Sequence, residues 1–218
     1  MPEVKNYDVQ AGDTLSAIAQ REYGDSSLYP VISRQNELAN PNVIDVGQQL
    51  LIPYVTYRHL VTAADSTAAR KQITQQYYGT DDTNVQLSWE IVNGVAQREI
   101  QRGAWLRIPD LSNVGHHTVV ADETLEVLAD RWYGDDHLAL LIELANNLPT
   151  GSEPTPGQVL IVPGLNRRRK IAGDTLESLC RDEYGDTDVA IRMSVAAAAN
   201  HIDYPYSLFC GQVVYFPS

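Results

Sequence analysis

The side chains best equipped for chemistry in this chain are two adjacent histidines, a short basic run, two cysteines and the acid–hydroxyl pairs Asp13-Thr14 and Asp174-Thr175. His116 and His117, if on a strand, point to opposite faces and cannot share a metal, and no Cys/His ligand spacing accompanies them. Cys180 lies five residues after Thr175, where Ala19 and Ala129 lie five after Thr14 and Thr124. That is a small core position, and a thiol there acts as a small hydrophobe. A Cys180–Cys210 bond stays open on sequence grounds, and a reducing site of synthesis disfavours it. No Gly-x-Ser-x-Gly elbow, phosphate loop or Cys/His nucleophile pair occurs. Most carboxylates have a reading as helix caps. We therefore expect no catalysis, no cofactor and no metal. Arg167, Arg168, Arg169 and Lys170 form the one basic run, too short and isolated for a nucleic-acid site. It suits contact with an acidic protein neighbour, or with the acidic modules beside it.

Net charge of −12 argues against nucleic acid and anionic membranes as partners. No apolar run reaches the length of a membrane span. The start, MPEVKNYDVQAGDTL, has no apolar leader segment, so the expected place of synthesis is the cytoplasm, without a signal peptide.

The elements that must position these side chains repeat. Tyr-Gly-Asp stands at 23–25, 133–135 and 184–186, with Tyr-Gly-Thr at 78–80. Each is followed by an asparagine (Asn36, Asn93, Asn146, Asn200) and then by a closing stretch: GQQLLIP, GAWLRIP, GQVLIVP or GQVVYFP. The closing prolines, 53, 109, 163 and 217, are 56, 54 and 54 residues apart. Three copies open with GDTL, DETL and GDTL; the second has drifted to ADST at 64–67. This periodicity divides the chain into modules at 5–54, 57–110, 116–164 and 167–218. The short connections carry no flexible linker composition, so the modules are expected to pack as a compact array.

Within a module, Tyr7 and Val9 alternate as in a short strand, and Asp13 or Thr14 caps a helix bearing Leu15, Ile18 and Ala19. Gly24 fits the left-handed residue that ends a helix, and Asp25 caps the next. The closing stretch alternates as a strand and stops at proline. The fold class is α+β, as four tandem βααβ modules. Trp105, two residues after its closing glycine, faces away from its module's core and is a candidate protein contact.

GDTL, the Tyr-Gly corner, the asparagine and the closing G-Q-x-L-x-I-P resemble the LysM domain, in four copies covering essentially the whole chain. The resemblance implies a βααβ fold and binding of N-acetylglucosamine-containing glycans such as peptidoglycan and chitin. The implied groove lies between the loop after the first strand and the loop before the last. It comprises Gly12, Asp13, Thr14, Val43 and Ile44 in module one, and Gly173, Asp174 and Thr175 in module four, near Ile202, Asp203 and Tyr204. The Tyr-Gly-Asp spelling is similar to LysM modules of contractile injection systems and phage tails. That likeness implies a non-catalytic structural adaptor, joining spike, hub or inner tube to a baseplate in several copies per particle. Glycan binding is the alternative function.

Overall fold

The computed structural model describes residues 4–218. Module one runs β1 (Lys5–Asp8), α1 (Leu15–Tyr23), α2 (Tyr29–Gln35), β2 (Gln49–Ile52). Module two runs β3 (Tyr57–Leu60), α3 (Ser66–Tyr78), α4 (Thr83–Val92), β4 (Trp105–Ile108). Module three runs β5 (Asp110–Thr118), α5 (Leu125–Tyr133), α6 (Ala139–Ala145), β6 (Val159–Gly164). Module four runs β7 (Arg167–Lys170), α7 (Leu176–Tyr184), α8 (Val189–Ala199), β8 (Val213–Phe216). The strands of each module pair antiparallel as a separate two-stranded sheet. The architecture is α+β. In modules one and three a single 3₁₀ turn, Ser26–Leu28 or Asp136–Leu138, precedes the second helix. Asp25 and Asp135 cap those turns, not the α-helix that was expected.

Each repeated residue has a mechanical cause. The corner tyrosine donates its hydroxyl to the carbonyl of the closing proline: Tyr23 to Pro53 at 3.0 Å, Tyr78 to Pro109 at 2.9 Å, Tyr133 to Pro163 at 2.9 Å and Tyr184 to Pro217 at 2.6 Å. This ties the end of the first helix to the end of the last strand. The following glycine has φ near +65° in the first three modules and ends the helix in the left-handed region. There a β-carbon is disfavoured by backbone sterics, and at Gly79 it would meet open space.

The asparagine ends the second helix and acts as one residue of an extra strand. Asn146 donates to the carbonyls of Ile142 and Ile161, both at 2.8 Å, and accepts the Ile161 N–H at 2.6 Å. Asn36, Asn93 and Asn200 repeat the pattern on Leu51, Arg107 and Tyr215. The outer edge of each closing strand is thereby satisfied, although each sheet has only two strands. Asn146→Ala removes all three bonds. At about 1 kcal/mol net each, reduced by the partial exposure of the site, the expected loss is about 2 kcal/mol. Urea unfolding measures it, and Asn146→Asp, which sets a carboxylate against two carbonyls, should recover none of it.

By its internal contacts the chain sorts into two units. One is continuous, residues 56–165, and holds modules two and three; the other is discontinuous, residues 4–55 with 166–218, and holds modules one and four. In each, the two second helices pack together: α4 on α6 and α2 on α8. Val195, Ala198 and Ala199 of α8 belong to the core of module one, with Ile18, Leu28, Val31, Ile32 and Leu50. Val92 of α4 belongs to the core of module three.

Candidate functional site

The glycine of the first loop is a conformational requirement: Gly12 has φ +88° and Gly173 φ +114°. Module three adopts the same region with Asp122 at φ +66°. The helix cap is the threonine. Thr14, Thr124 and Thr175 accept the backbone N–H three residues on, and Thr175 forms a reciprocal capping box with Ser178. Of the two candidates, Asp13 and Thr14, the threonine is the cap and the aspartate is not.

Asp13 holds the loop. It accepts the Tyr7 hydroxyl at 2.5 Å and the Gln10 N–H at 2.8 Å, with the Arg21 guanidinium 3.8 Å away. Arg21 also lies over the Tyr7 ring, 4.8 Å from its centre. The Tyr7 hydrogen bond is the main cause that lowers the Asp13 carboxyl pKa, and it raises that of the Tyr7 phenol.

Module three builds the same clasp from other side chains, each 110 positions along. Glu123 stands for Asp13, His117 for Tyr7 and Arg131 for Arg21. Glu123 meets His117 Nε2 at 2.6 Å, accepts the Val120 N–H at 3.0 Å and pairs with Arg131 at 2.5 Å. His117, then Val120 and Arg131, bring its carboxyl from an ordinary 4.5 down to about 2. A carboxyl depressed on folding adds stability that is complete above its unfolded value and is lost as pH falls toward its folded one. The window is therefore pH 4.5 to 2. Urea midpoints of wild type and Glu123→Gln should differ at about pH 6 and converge as the pH approaches about 2.

Sequence inspection missed Tyr7, Arg21, His117, Glu123 and Arg131. The signal was available: in both modules the ring lies six residues before the acid and the arginine eight after it.

On the facing loop, Val43 is 59% exposed, whereas Ile44 packs against the module core. In module four the loop carries Tyr204, exposed beside Tyr206. Asp174 there is held by the Ala172 N–H at a long 3.2 Å.

The basic run is partly engaged within its own module. Arg167 and Arg169 both bind Glu183 of their own module, at 3.0 and 2.7 Å. Arg168 and Lys170 lie opposite Tyr215 and Val213 on β8. Trp105 is 55% exposed and pairs across the sheet with Leu60. His116 is exposed and His117 belongs to the clasp, so the two do not converge. Asp135, Asp136 and His137 come close enough to hold a cation, but Asp135 already accepts the His137 N–H as a cap. Both cysteines are free; Cys180 is buried, and burial pushes its thiol up to about 11. Among the described residues no helix is long and apolar enough to cross a membrane.

Residues 7–53 and 117–163 match the LysM domain, which makes modules one and three LysM domains. Esterase Rv1288 of Mycobacterium tuberculosis H37Rv is 38% identical over 162 residues, 73% of this chain and 33% of that protein. Esterase MT1326 of strain CDC 1551 gives the same figures. The chain thus spans about a third of the length of these relatives. The spore cortex-lytic enzyme SleL of Bacillus megaterium, a crystal structure, is 26% identical over 50% of this chain and 23% of its own, with a TM-score of 0.24. The esterases correct the expectation of a chain unconnected with catalysis: most of its length is shared with proteins named as enzymes.

Proposed function

We propose that this chain, with LysM domains at residues 7–53 and 117–163, binds N-acetylglucosamine-containing glycans of the cell-wall type and holds ester hydrolysis at that surface. One observation carries the binding half. The two segments that match LysM are the two whose first loop is clasped by an acid, Asp13 or Glu123, to a ring on the first strand. A loop fixed in this way presents backbone groups and short polar side chains to an acetamido group without an ordering cost on binding. Modules two and four are diverged copies of the same fold. The relatives named esterases support the second half: the array attaches and the hydrolase cuts.

The alternative of a tail-baseplate adaptor rests on the Tyr-Gly-Asp corner, and that corner is accounted for by folding. Its tyrosine bolts the closing proline, its glycine ends a helix and its aspartate caps a turn. Neither esterase is named as a baseplate part.

The test is co-sedimentation with insoluble peptidoglycan and with chitin, beside titration calorimetry with the N-acetylglucosamine hexamer. Retention in the pellet, competed by the soluble hexamer, is expected. A chain that stays in the supernatant with both polymers and gives no heat would overturn the assignment. Release of p-nitrophenol from an acyl ester, by the chain and by pelleted complexes from its source cell, tests the link to hydrolysis.

A further inference from the structure

If all four modules bound glycan, the chain would be tetravalent. The same strand position, compared across the four, says otherwise. It is Tyr7, His59, His117 and Arg169, each opposite the first inward residue of the closing strand: Leu50, Leu106, Leu160 and Val214. In modules one and three this side chain reaches the loop acid. In module two His59 turns to Tyr77 at the end of α3, 2.8 Å away, and Ala64 stands just before the cap, where the acid would be. In module four Arg169 turns to Glu183 at the end of α7. Its loop is also one residue shorter, with three steps from Ile171 to Asp174 against four from Val9 to Asp13.

Module two goes further and ties the loop before its last strand to the first helix. Ser66 at the start of α3 accepts the Ile100 N–H at 2.8 Å. From the next turn, Arg70 donates to the carbonyls of Val95 and Arg98 at 2.9 and 2.7 Å. The Arg70 guanidinium is itself held by Glu90 at 2.6 Å, a carboxylate only 7% exposed. Moving this loop to admit a sugar would break three helix-to-loop hydrogen bonds and leave a poorly exposed ion pair to rearrange, which an uncharged acetamido sugar does not offset. In modules one and three the two loops meet at their base through backbone bonds, Val9 with Gly47 and Gln48 and Val119 with Gly157 and Gln158, and the position of Arg70 is taken by the small Ala19 and Ala129.

We propose that the chain carries two glycan sites, one in each compact unit, in modules one and three, with Asp13 and Glu123 as their positioning residues. Modules two and four act as packing partners. The chain is a bivalent binder, and its hold on a polymer is an avidity of two. The inference rests on the glycan-binding function proposed above.

Calorimetric titration of the full chain with the N-acetylglucosamine hexamer tests it. The expected stoichiometry is two hexamers per chain. Asp13→Asn and Glu123→Gln should each lower it to one, the lost site weakening more than about tenfold, and the double variant should give no heat. Thermal unfolding checks that each variant is folded, and Tyr7→Phe, which keeps the ring and removes only the donor, stands in for Asp13→Asn if that variant is not. Exchanging the chemistry, Tyr7→His with Asp13→Glu, copies the clasp of module three into module one and should give two sites at an unchanged melting temperature. Three or four hexamers per chain, one hexamer per chain, or a count of two that survives both single variants, would overturn the inference and leave glycan binding standing. No heat from the wild type would remove both.

Discussion

Tyr133→Ala should destabilise the continuous unit by about 4 kcal/mol, and Tyr133→Phe by about 1.5. The ring is fully buried among Leu125, Leu128, Leu160 and Val162, and its hydroxyl is bonded to the Pro163 carbonyl in a buried setting. Alanine empties an aromatic-sized space in a packed core, which typically costs 3–5 kcal/mol, or about that. Phenylalanine keeps the packing and leaves one buried carbonyl without its donor. For a unit of this size, about 4 kcal/mol lowers the melting temperature by roughly 15–20 °C. The four corners should not respond equally. Tyr23 and Tyr133 are 1% and 0% exposed, whereas Tyr78 and Tyr184 are only partly buried. The phenylalanine variants of Tyr78 and Tyr184 should therefore cost less, because water can reach the orphaned carbonyl. Equal losses at all four positions in differential scanning calorimetry would mean that the bond to proline, and not its burial, sets the effect.

What made this corner legible in the sequence was its recurrence. Gly24 announced a left-handed helix end, and the alternation of Leu50 with Ile52 announced the buried face of a strand. Asn36 and its three counterparts were equally visible as a spacing. Their use was not, because a side chain imitating a strand edge leaves no periodic trace. The clasp was missed for another reason. The acid stands in GDTL, while its partner lies on a strand whose occupants, Tyr7, His59, His117 and Arg169, share no chemical type. In modules two and four the loop is one residue shorter, module two has Ala64 in place of the acid, and the strand side chain meets the end of the helix instead. The nearest acid to the basic run was hidden for a similar reason. Glu183 lies outside the run, on α7, and neutralises part of it from across the module.

Which modules pack together was beyond the sequence altogether, and it has the second large consequence. Residues 1–55 alone should melt at least about 15 °C below the full chain, whereas residues 56–165 alone should unfold cooperatively and bind one N-acetylglucosamine hexamer. A module of about 50 residues has only roughly 3–7 kcal/mol of stability. Part of what covers module one comes from the far end of the chain. Val195, Ala198 and Ala199 lie in the cluster that buries Val31 and Ile32. Arg34 donates to the Ser194 carbonyl at 2.8 Å, and Tyr54 and Ser218 exchange backbone hydrogen bonds at 2.8 and 3.1 Å. Uncovering even two aliphatic side chains costs about 3 kcal/mol or more, which is much of a single module's margin. Residues 56–165 contain both members of their pair, α4 and α6, and lose no such cover. Adding residues 166–218 in trans should raise the melting temperature of residues 1–55, because the missing surface is then supplied by mass action. If residues 1–55 instead melt with the full chain and ignore the second fragment, module one is self-sufficient. The pairing of α2 with α8 would then be a contact of convenience, without weight in the stability of module one.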